Sequence, residues 1–218
     1  MKTVSRATHP TARRLLRDVE FCRGMERRVE ATFEIIDQLP RTTAGIELLL
    51  SRTPHRLSHE VQYTVLNMLD SLPLRPVDVK RLLPAVMRLL YNTNSRAAFV
   101  WMKAGCLLGD GLLAAADKEE RGAIVAELLK ALRSAPSVHA RHGAFHAIEH
   151  ALNVASLTEG KTMLDAVYDA ALSDRALSLR RSAFTLLRDG YWWGNKGVSG
   201  LHLYARKQGR KLRIDDYY

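Results

Sequence analysis

Apolar residues recur at the three- and four-residue spacing of an amphipathic helix along nearly the whole chain. No segment keeps the strict alternation of apolar and polar residues that marks a half-buried strand. Short turn signals interrupt the helical pattern, among them Leu72-Pro73, Ala135-Pro136 and Glu159-Gly160. The pattern therefore predicts helices throughout and an all-α fold.

The predicted helices occur in pairs that repeat along the chain. The clearest pair, within 161–190, has a first helix MLDAVYDAAL, the turn Ser173-Asp174, and a second helix in which Leu179-Arg180 is followed by Ala183 and Leu187. The second-helix pattern begins at positions 61, 94, 140 and 179, in steps of 33, 46 and 39 residues. Such steps are typical of two-helix repeats with loops of variable length. Stacking of these pairs predicts a set of buried residues, namely Val61, Val65, Leu69, Ala98, Met102, Ala144, Ile148, Ala183 and Leu187.

Two features of these repeats resemble the HEAT family. One first helix contains Leu82-Leu83-Pro84-Ala85-Val86, and two second helices open with an aliphatic residue and an arginine, at Ala140-Arg141 and Leu179-Arg180, followed by a small residue. The resemblance covers about residues 57–190 and implies a right-handed α-solenoid of about four helix pairs. We expect one helical-repeat domain over 1–218, with an N-terminal helical cap in 1–56 and a basic C-terminal segment in 191–218. The family includes scaffolds, nucleic-acid binders and a few enzymes, so the resemblance leaves the function open.

Composition limits the class of protein. Hydrophobic residues make up 47% of the 218 residues, which is enough for a buried core. The chain has no run of about 20 apolar residues, and its N-terminus lacks the apolar segment of a secretory signal. These features predict a cytoplasmic protein without a membrane partner. Cys22 and Cys106 stand alone, which is typical of reduced cysteines rather than of a zinc knuckle or a disulfide framework.

The positive charge is concentrated at the two ends of the chain. The net charge is +10, of which residues 1–28 contribute +5 (8 basic, 3 acidic) and residues 190–218 contribute +4 (6 basic, 2 acidic). Clustered positive charge favours an anionic partner, because each neutralised phosphate releases counterions. The alternative is a charge distribution that serves only solubility.

A column of cations is predicted on the second helices, which commonly line the concave surface of a HEAT stack. Shifting by the repeat steps aligns His142 with Arg96 and Arg181, and Glu149 with Lys103 and Arg188. Aromatic side chains beside cations can also stack on bases, although tryptophans after a final repeat often only close the core. The predicted site for nucleic acid or an acidic partner therefore comprises Arg96, Lys103, His142, Arg181, Arg188, Trp192, Lys196, Arg206, Lys207, Arg210 and Lys211.

The string His146-Ala147-Ile148-Glu149-His150 matches the HxxEH spelling of an inverted zinc-protease motif. At 100° per residue, His139, His142, His146 and His150 lie opposite the packing face of their helix, so we expect them to be exposed. A five-residue match is common, and the sequence shows no distal third ligand. We therefore expect no bound metal and no cofactor.

These observations favour a non-catalytic HEAT-like module whose basic concave face and basic termini bind nucleic acid through the phosphate backbone. One alternative is an adaptor or inhibitor that binds an acidic protein. A second is an enzyme resembling the HEAT-like alkylpurine DNA glycosylases, which need an aspartate flanked by tryptophans; here only Asp189, near Trp192 and Trp193, suggests that arrangement. The chain has no nucleophile elbow, phosphate-binding loop or dinucleotide fingerprint.

Overall fold

The fold is described from a computed structural model of the chain, for residues 59–91, 98–190, 196–212 and Tyr217. These residues are helical apart from short connections and contain no strand, which confirms the all-α prediction. They belong to two compact units, one within 1–73 and one within 74–218. The predicted N-terminal cap, Arg96 and Trp192 lie outside the described residues. In the first unit, helix α1 (His59–Asp70) buries Val65, Leu66, Met68 and Leu69.

The described residues of the second unit form three successive helix pairs and a final helix. The pairs are α2 (Pro76–Leu90) with α3 (Ala98–Ala115), α4 (Lys118–Ser134) with α5 (Val138–Ala151), and α6 (Leu157–Ser173) with α7 (Leu177–Asp189). Helix α8 (Gly197–Lys207) follows. Helix α3 is α-helical to Cys106, forms a π-helical turn over Leu107–Leu112, and is α-helical again over Leu113–Ala115.

Side-chain caps fix where several of these helices begin. The carboxylate of Asp117 accepts the backbone N–H of Glu120, whose own carboxylate accepts the N–H of Asp117. Ser156 and Glu159 form the same reciprocal arrangement at the start of α6. Such capping boxes satisfy backbone donors that the first helical turn leaves unpaired. The short connections between successive pairs, before α4 and before α6, therefore have a local cause in the sequence.

Each pair packs against the next. The first helices contact one another in the order α2, α4, α6, and the second helices in the order α3, α5, α7. Helix α8 packs on α7 and α6. These contacts place α5 among α3, α4 and α7, so this helix has neighbours on several sides.

Most of the residues that the repeat pattern predicts to be buried do lie in the core. Val65, Leu69, Ala144, Ile148, Ala183 and Leu187 are at most 1% exposed, and the side chain of Val61 lies outside the described residues. The prediction is wrong in α3, where Ala98 is half-buried and Met102 is 39% exposed. Helix α3 instead buries Val100, Trp101, Ala104, Leu107 and Leu108. The second-helix pattern of α3 therefore begins at Val100 and not at position 94. The steps from Val100 to Ala140 and from Ala140 to Leu179 are 40 and 39 residues.

The apolar helix α3 is long enough to cross a membrane by length and composition alone. It is the one helix of the described residues that passes this test, and half of its 18 residues are buried within the fold. Core helices pass the same test. In this structure Leu107, Leu108, Leu112 and Leu113 are fully buried, and their segment packs on α2 and α5.

Candidate functional site

A groove of about 700 Å³ crosses α3, α5 and α7. Two of the predicted cationic positions, His142 and Arg181, line it together with Met102. These three residues occupy equivalent positions once the corrected steps of 40 and 39 residues are applied. Lys103 and Arg188 are not among its lining residues, whereas the carboxylates Glu149 and Asp189 are. The groove therefore combines acidic and basic groups.

The charges within this groove are partly neutralised by their neighbours. His142 lies 3.1 Å from the hydroxyl of Ser178, and burial lowers its pKa, which favours the neutral imidazole. Arg188 donates two hydrogen bonds to the exposed carboxylate of Asp189, at 2.6 and 2.7 Å. This pairing lowers the pKa of Asp189. The carboxylate considered for a glycosylase-like reaction is thus held by an arginine, and Trp192 and Trp193 lie outside the described residues.

A second group of predicted cations gathers at the end of α8. Arg206 and Lys207 lie in its last turn, and Arg210 and Lys211 follow directly. All four side chains are exposed, as is Lys196 at the start of α8. We refer to Arg206, Lys207, Arg210 and Lys211 as the C-terminal cationic cluster. Cations at this position also interact favourably with the partial negative charge of the helix end.

A glycine turn fixes the backbone of this cluster. Gly209 has a φ of 65°, in the left-handed region that glycine adopts without a steric penalty. Its N–H donates to the carbonyl of Arg206 at 3.0 Å, and the N–H of Arg210 donates to the carbonyl of Ala205 at 2.9 Å. These two bonds form a Schellman motif. The motif turns the chain back at the end of α8, so that Arg210 remains beside the last helical turn.

Aromatic contacts hold the cluster on the rest of the unit. Tyr204 stacks on Tyr168 with ring centroids 5.2 Å apart, and its hydroxyl donates to Asp169 at 2.8 Å. Burial, with the adjacent Asp169 carboxylate, raises the pKa of Tyr204 to about 12. Farther along, Tyr217 stacks on Phe184 and donates to the carbonyl of Ala171. The cationic cluster therefore lies between two anchored tyrosines.

The structure also forms a cluster that the sequence pattern does not predict. The Sγ of Cys106 lies 3.4 Å from Nε2 of His146 and 3.3 Å from Nε2 of His150. The prediction that the histidines are exposed is wrong, since all four are half-buried and the His146 and His150 side chains are only 23% and 29% exposed. The cause is α3, which packs on the face of α5 that carries Gly143, His146, Ala147 and His150. The equal separation of 40 residues from Cys106 to His146 and from Asp110 to His150 is the signal that would have revealed it.

Hydrogen bonds order this cluster on both sides. Nδ1 of His146 lies 3.0 Å from the carboxylate of Glu149, and Nδ1 of His150 lies 2.6 Å from that of Asp110. The hydrogen bond with Cys106, followed by that with Glu149, raises the pKa of His146 to about 9. The same contact with His146 lowers the pKa of Glu149. Cysteine sulfur and imidazole nitrogen are ligands that zinc prefers, so these are the described residues that could hold a metal.

Two glycines allow α3 to approach α5 closely enough to form the cluster. A Cβ at Gly105 would lie 2.8 Å from the carbonyl oxygen of Gly143. A Cβ at Gly109 would meet the carbonyl oxygen of Ala147 and lie 2.8 Å from the backbone nitrogen of Ala151. Side chains at these positions would therefore push the two backbones apart.

We expect the Gly109→Ala variant to lose about 1–3 kcal/mol of unfolding free energy, because backbone atoms cannot yield to the added methyl group. Gly122→Ala, in α4, is the matched control, since nothing lies within 4 Å of a Cβ there. That variant should gain about 0.5–1 kcal/mol, because alanine is the better helix former. Urea denaturation followed by circular dichroism measures both. Equal stability of the two variants would contradict the close contact of α3 and α5.

Comparison with known proteins gives no relative from which a function could be transferred. No protein-family model matches this sequence, and neither a curated protein nor a solved structure matches it significantly. The functional interpretation therefore depends on the side chains and their surroundings.

Proposed function

We propose that this chain is a non-catalytic HEAT-like helical module that binds nucleic acid through its phosphate backbone, using the C-terminal cationic cluster. The observation that carries the proposal is the arrangement of Arg206, Lys207, Arg210 and Lys211, four exposed cations within six residues. Within the described part of the chain, none of the four forms an ion pair or a side-chain hydrogen bond. Their charge is therefore available to an anionic partner.

The composition of the cluster suits phosphate. Arginine presents a planar fork of donors that matches two phosphate oxygens, and lysine adds a mobile point charge. The Schellman turn and the anchored tyrosines on either side hold the backbone of these residues in place before binding. Less conformational entropy is then lost when a partner binds. Lys196 and Arg181, which are also exposed, are secondary candidates for contacts with the same partner.

The proposed HEAT-like architecture draws support from the order of the helix contacts. First helices contact first helices and second helices contact second helices across three successive pairs, as in a stack of repeats. The separations of 40 and 39 residues between equivalent buried positions in α3, α5 and α7 fit a two-helix repeat. A right-handed solenoid is the arrangement we propose for these pairs.

A salt-titrated binding assay tests the proposal. Fluorescence anisotropy of labelled duplex DNA, single-stranded DNA and RNA would be measured with the full chain and with an Arg210→Gln/Lys211→Gln variant. Both residues lie beyond the end of α8, so the helix itself is unchanged. We expect this variant to bind more weakly. The slope of log K against log salt concentration should be smaller in magnitude by about 1.4–1.8, because two phosphate contacts are lost.

Lys118→Gln/Lys161→Gln is the matched control, since it removes the same charge from exposed positions on α4 and α6. If this control weakens binding as much as the cluster variant does, only the overall charge matters and the proposed interface is wrong. Failure of the unmodified chain to bind any of the three nucleic acids near physiological salt would refute the proposal. An acidic protein partner would then become the leading alternative.

A further inference from the structure

The cluster of Cys106, His146 and His150 has the donor set of a transition-metal site. One thiol and two imidazoles come from two helices and converge on one point, with the three ligand atoms all within 4.8 Å of one another. Zinc bonds of about 2.3 Å to sulfur and 2.0–2.1 Å to nitrogen place tetrahedral ligands about 3.5 Å (S to N) and 3.3 Å (N to N) apart. The two observed sulfur–nitrogen distances, 3.4 and 3.3 Å, agree with this spacing. The two nitrogens, at most 4.8 Å apart, need to close by no more than about 1.5 Å.

Each histidine also has the outer partner that metal-bound histidines require. Such histidines almost always donate their other ring N–H to a carboxylate, a carbonyl or water, which fixes the tautomer and directs the free nitrogen at the metal. Here Glu149 lies at Nδ1 of His146 and Asp110 lies at Nδ1 of His150. Both Nε2 atoms therefore face the sulfur. Two independent carboxylates performing the same task make this more than a chance grouping of histidines.

The backbone around the cluster is adapted to it. Asp110 lies in the π-helical turn of α3, and such turns within α-helices occur frequently at functional sites. Gly105 and Gly109 flank Cys106 and bring its helix against α5. A cysteine that acts as a nucleophile needs one base. Two imidazoles directed at the same sulfur are instead the arrangement expected when all three side chains bind one metal ion.

We infer that Cys106, His146 and His150 bind one Zn²⁺ ion, with Asp110 and Glu149 as outer partners of the two histidines. This inference is independent of the proposed nucleic-acid interface and replaces the expectation, drawn from the sequence, that no metal binds. Three protein ligands leave the fourth tetrahedral position of zinc to water or to an external ligand.

Cobalt titration of the full chain tests the site. After removal of metal with a chelator, Co²⁺ should bind at one ion per chain, giving the absorption of tetrahedral cobalt and a thiolate-to-cobalt charge-transfer band. Zn²⁺ should displace it. The Cys106→Ser variant should lose both the band and stoichiometric binding, whereas Cys22→Ser should keep them. His139→Ala is the control within α5, because His139 stacks beside Trp101 instead of facing the sulfur.

Asp110→Asn provides a second measurement that does not remove a ligand. Loss of an outer carboxylate should weaken zinc binding by about 10- to 100-fold and leave the stoichiometry at one. Zinc should also raise the melting temperature of the metal-free chain but not that of Cys106→Ser. If the unmodified chain binds no cobalt, or if the charge-transfer band survives in Cys106→Ser, the inference is wrong. A melting temperature that zinc leaves unchanged would likewise show that the cluster only joins the two helices.

Discussion

The Asp174→Ala variant should lose about 3–5 kcal/mol of unfolding free energy, because it leaves the Arg141 guanidinium buried without its counter-charge. The two side chains are 3% and 8% exposed, and they form two hydrogen bonds of 2.8 and 3.0 Å. Arg141 also donates to the carbonyl of Ala135, and Asp174 accepts the N–H of Ala176. The pair therefore joins α5 to the turn between α6 and α7.

Asp165→Ala removes an exposed carboxylate from α6 and serves as the control, with an expected change within about 0.5 kcal/mol. Urea denaturation of the full chain measures both. The double variant Arg141→Met/Asp174→Ala should recover part of the loss, since it leaves no uncompensated charge. If Asp174→Ala is no less stable than the control, the buried pair does not form.

Truncation of Ile148 to alanine should cost about 2–5 kcal/mol, from lost burial and from the cavity left behind. Ile148 is fully buried in α5, the helix that contacts α3, α4 and α7. Met102→Ala shortens another apolar side chain, but Met102 is 39% exposed, so we expect a loss of less than about 1 kcal/mol. Thermal and urea unfolding of the two variants compare the sites directly. Equal losses would mean that α3 is oriented as its sequence first predicted, with Met102 in the core.

Sequence periodicity was sufficient to predict the buried residues of α5 and α7 because each helix has a clear apolar face. Their buried residues Ala144, Ile148, Ala183 and Leu187 were all predicted. Helix α3 is apolar on most sides, and a helix of this kind carries little information about which face is buried. Its repeat was aligned six residues too early, and the error placed Met102 in the core. The same error aligned Lys103 with Arg188, although neither lines the groove.

The cluster of Cys106, His146 and His150 could not be predicted for a different reason. Helical periodicity places His146 and His150 away from the apolar face of α5, but residues on that side of the helix are exposed only if no further helix covers it. Helix α3 does cover it, and this contact depends on long-range packing that the local pattern does not reveal. Part of the information was present, since Gly105 and Gly109 flank Cys106 and the 40-residue separations match. Without knowing which residues of α3 face α5, these two signals could not be combined to predict the cluster. The exposure of Arg206, Lys207, Arg210 and Lys211, by contrast, follows from their charge alone.

The direct backbone contact between α3 and α5 determines how the residues it carries can move. Two helices that touch at Gly105 and Gly109, with no side chain between them there, cannot separate by the rotation of a side chain. The backbone that carries Cys106 and Asp110 can leave the histidine-bearing helix only when the packed unit opens, so this contact lasts as long as the fold itself. The entropy of bringing the two helix backbones together is therefore lost when the chain folds. Any ligand that binds between them meets a preorganised set of groups.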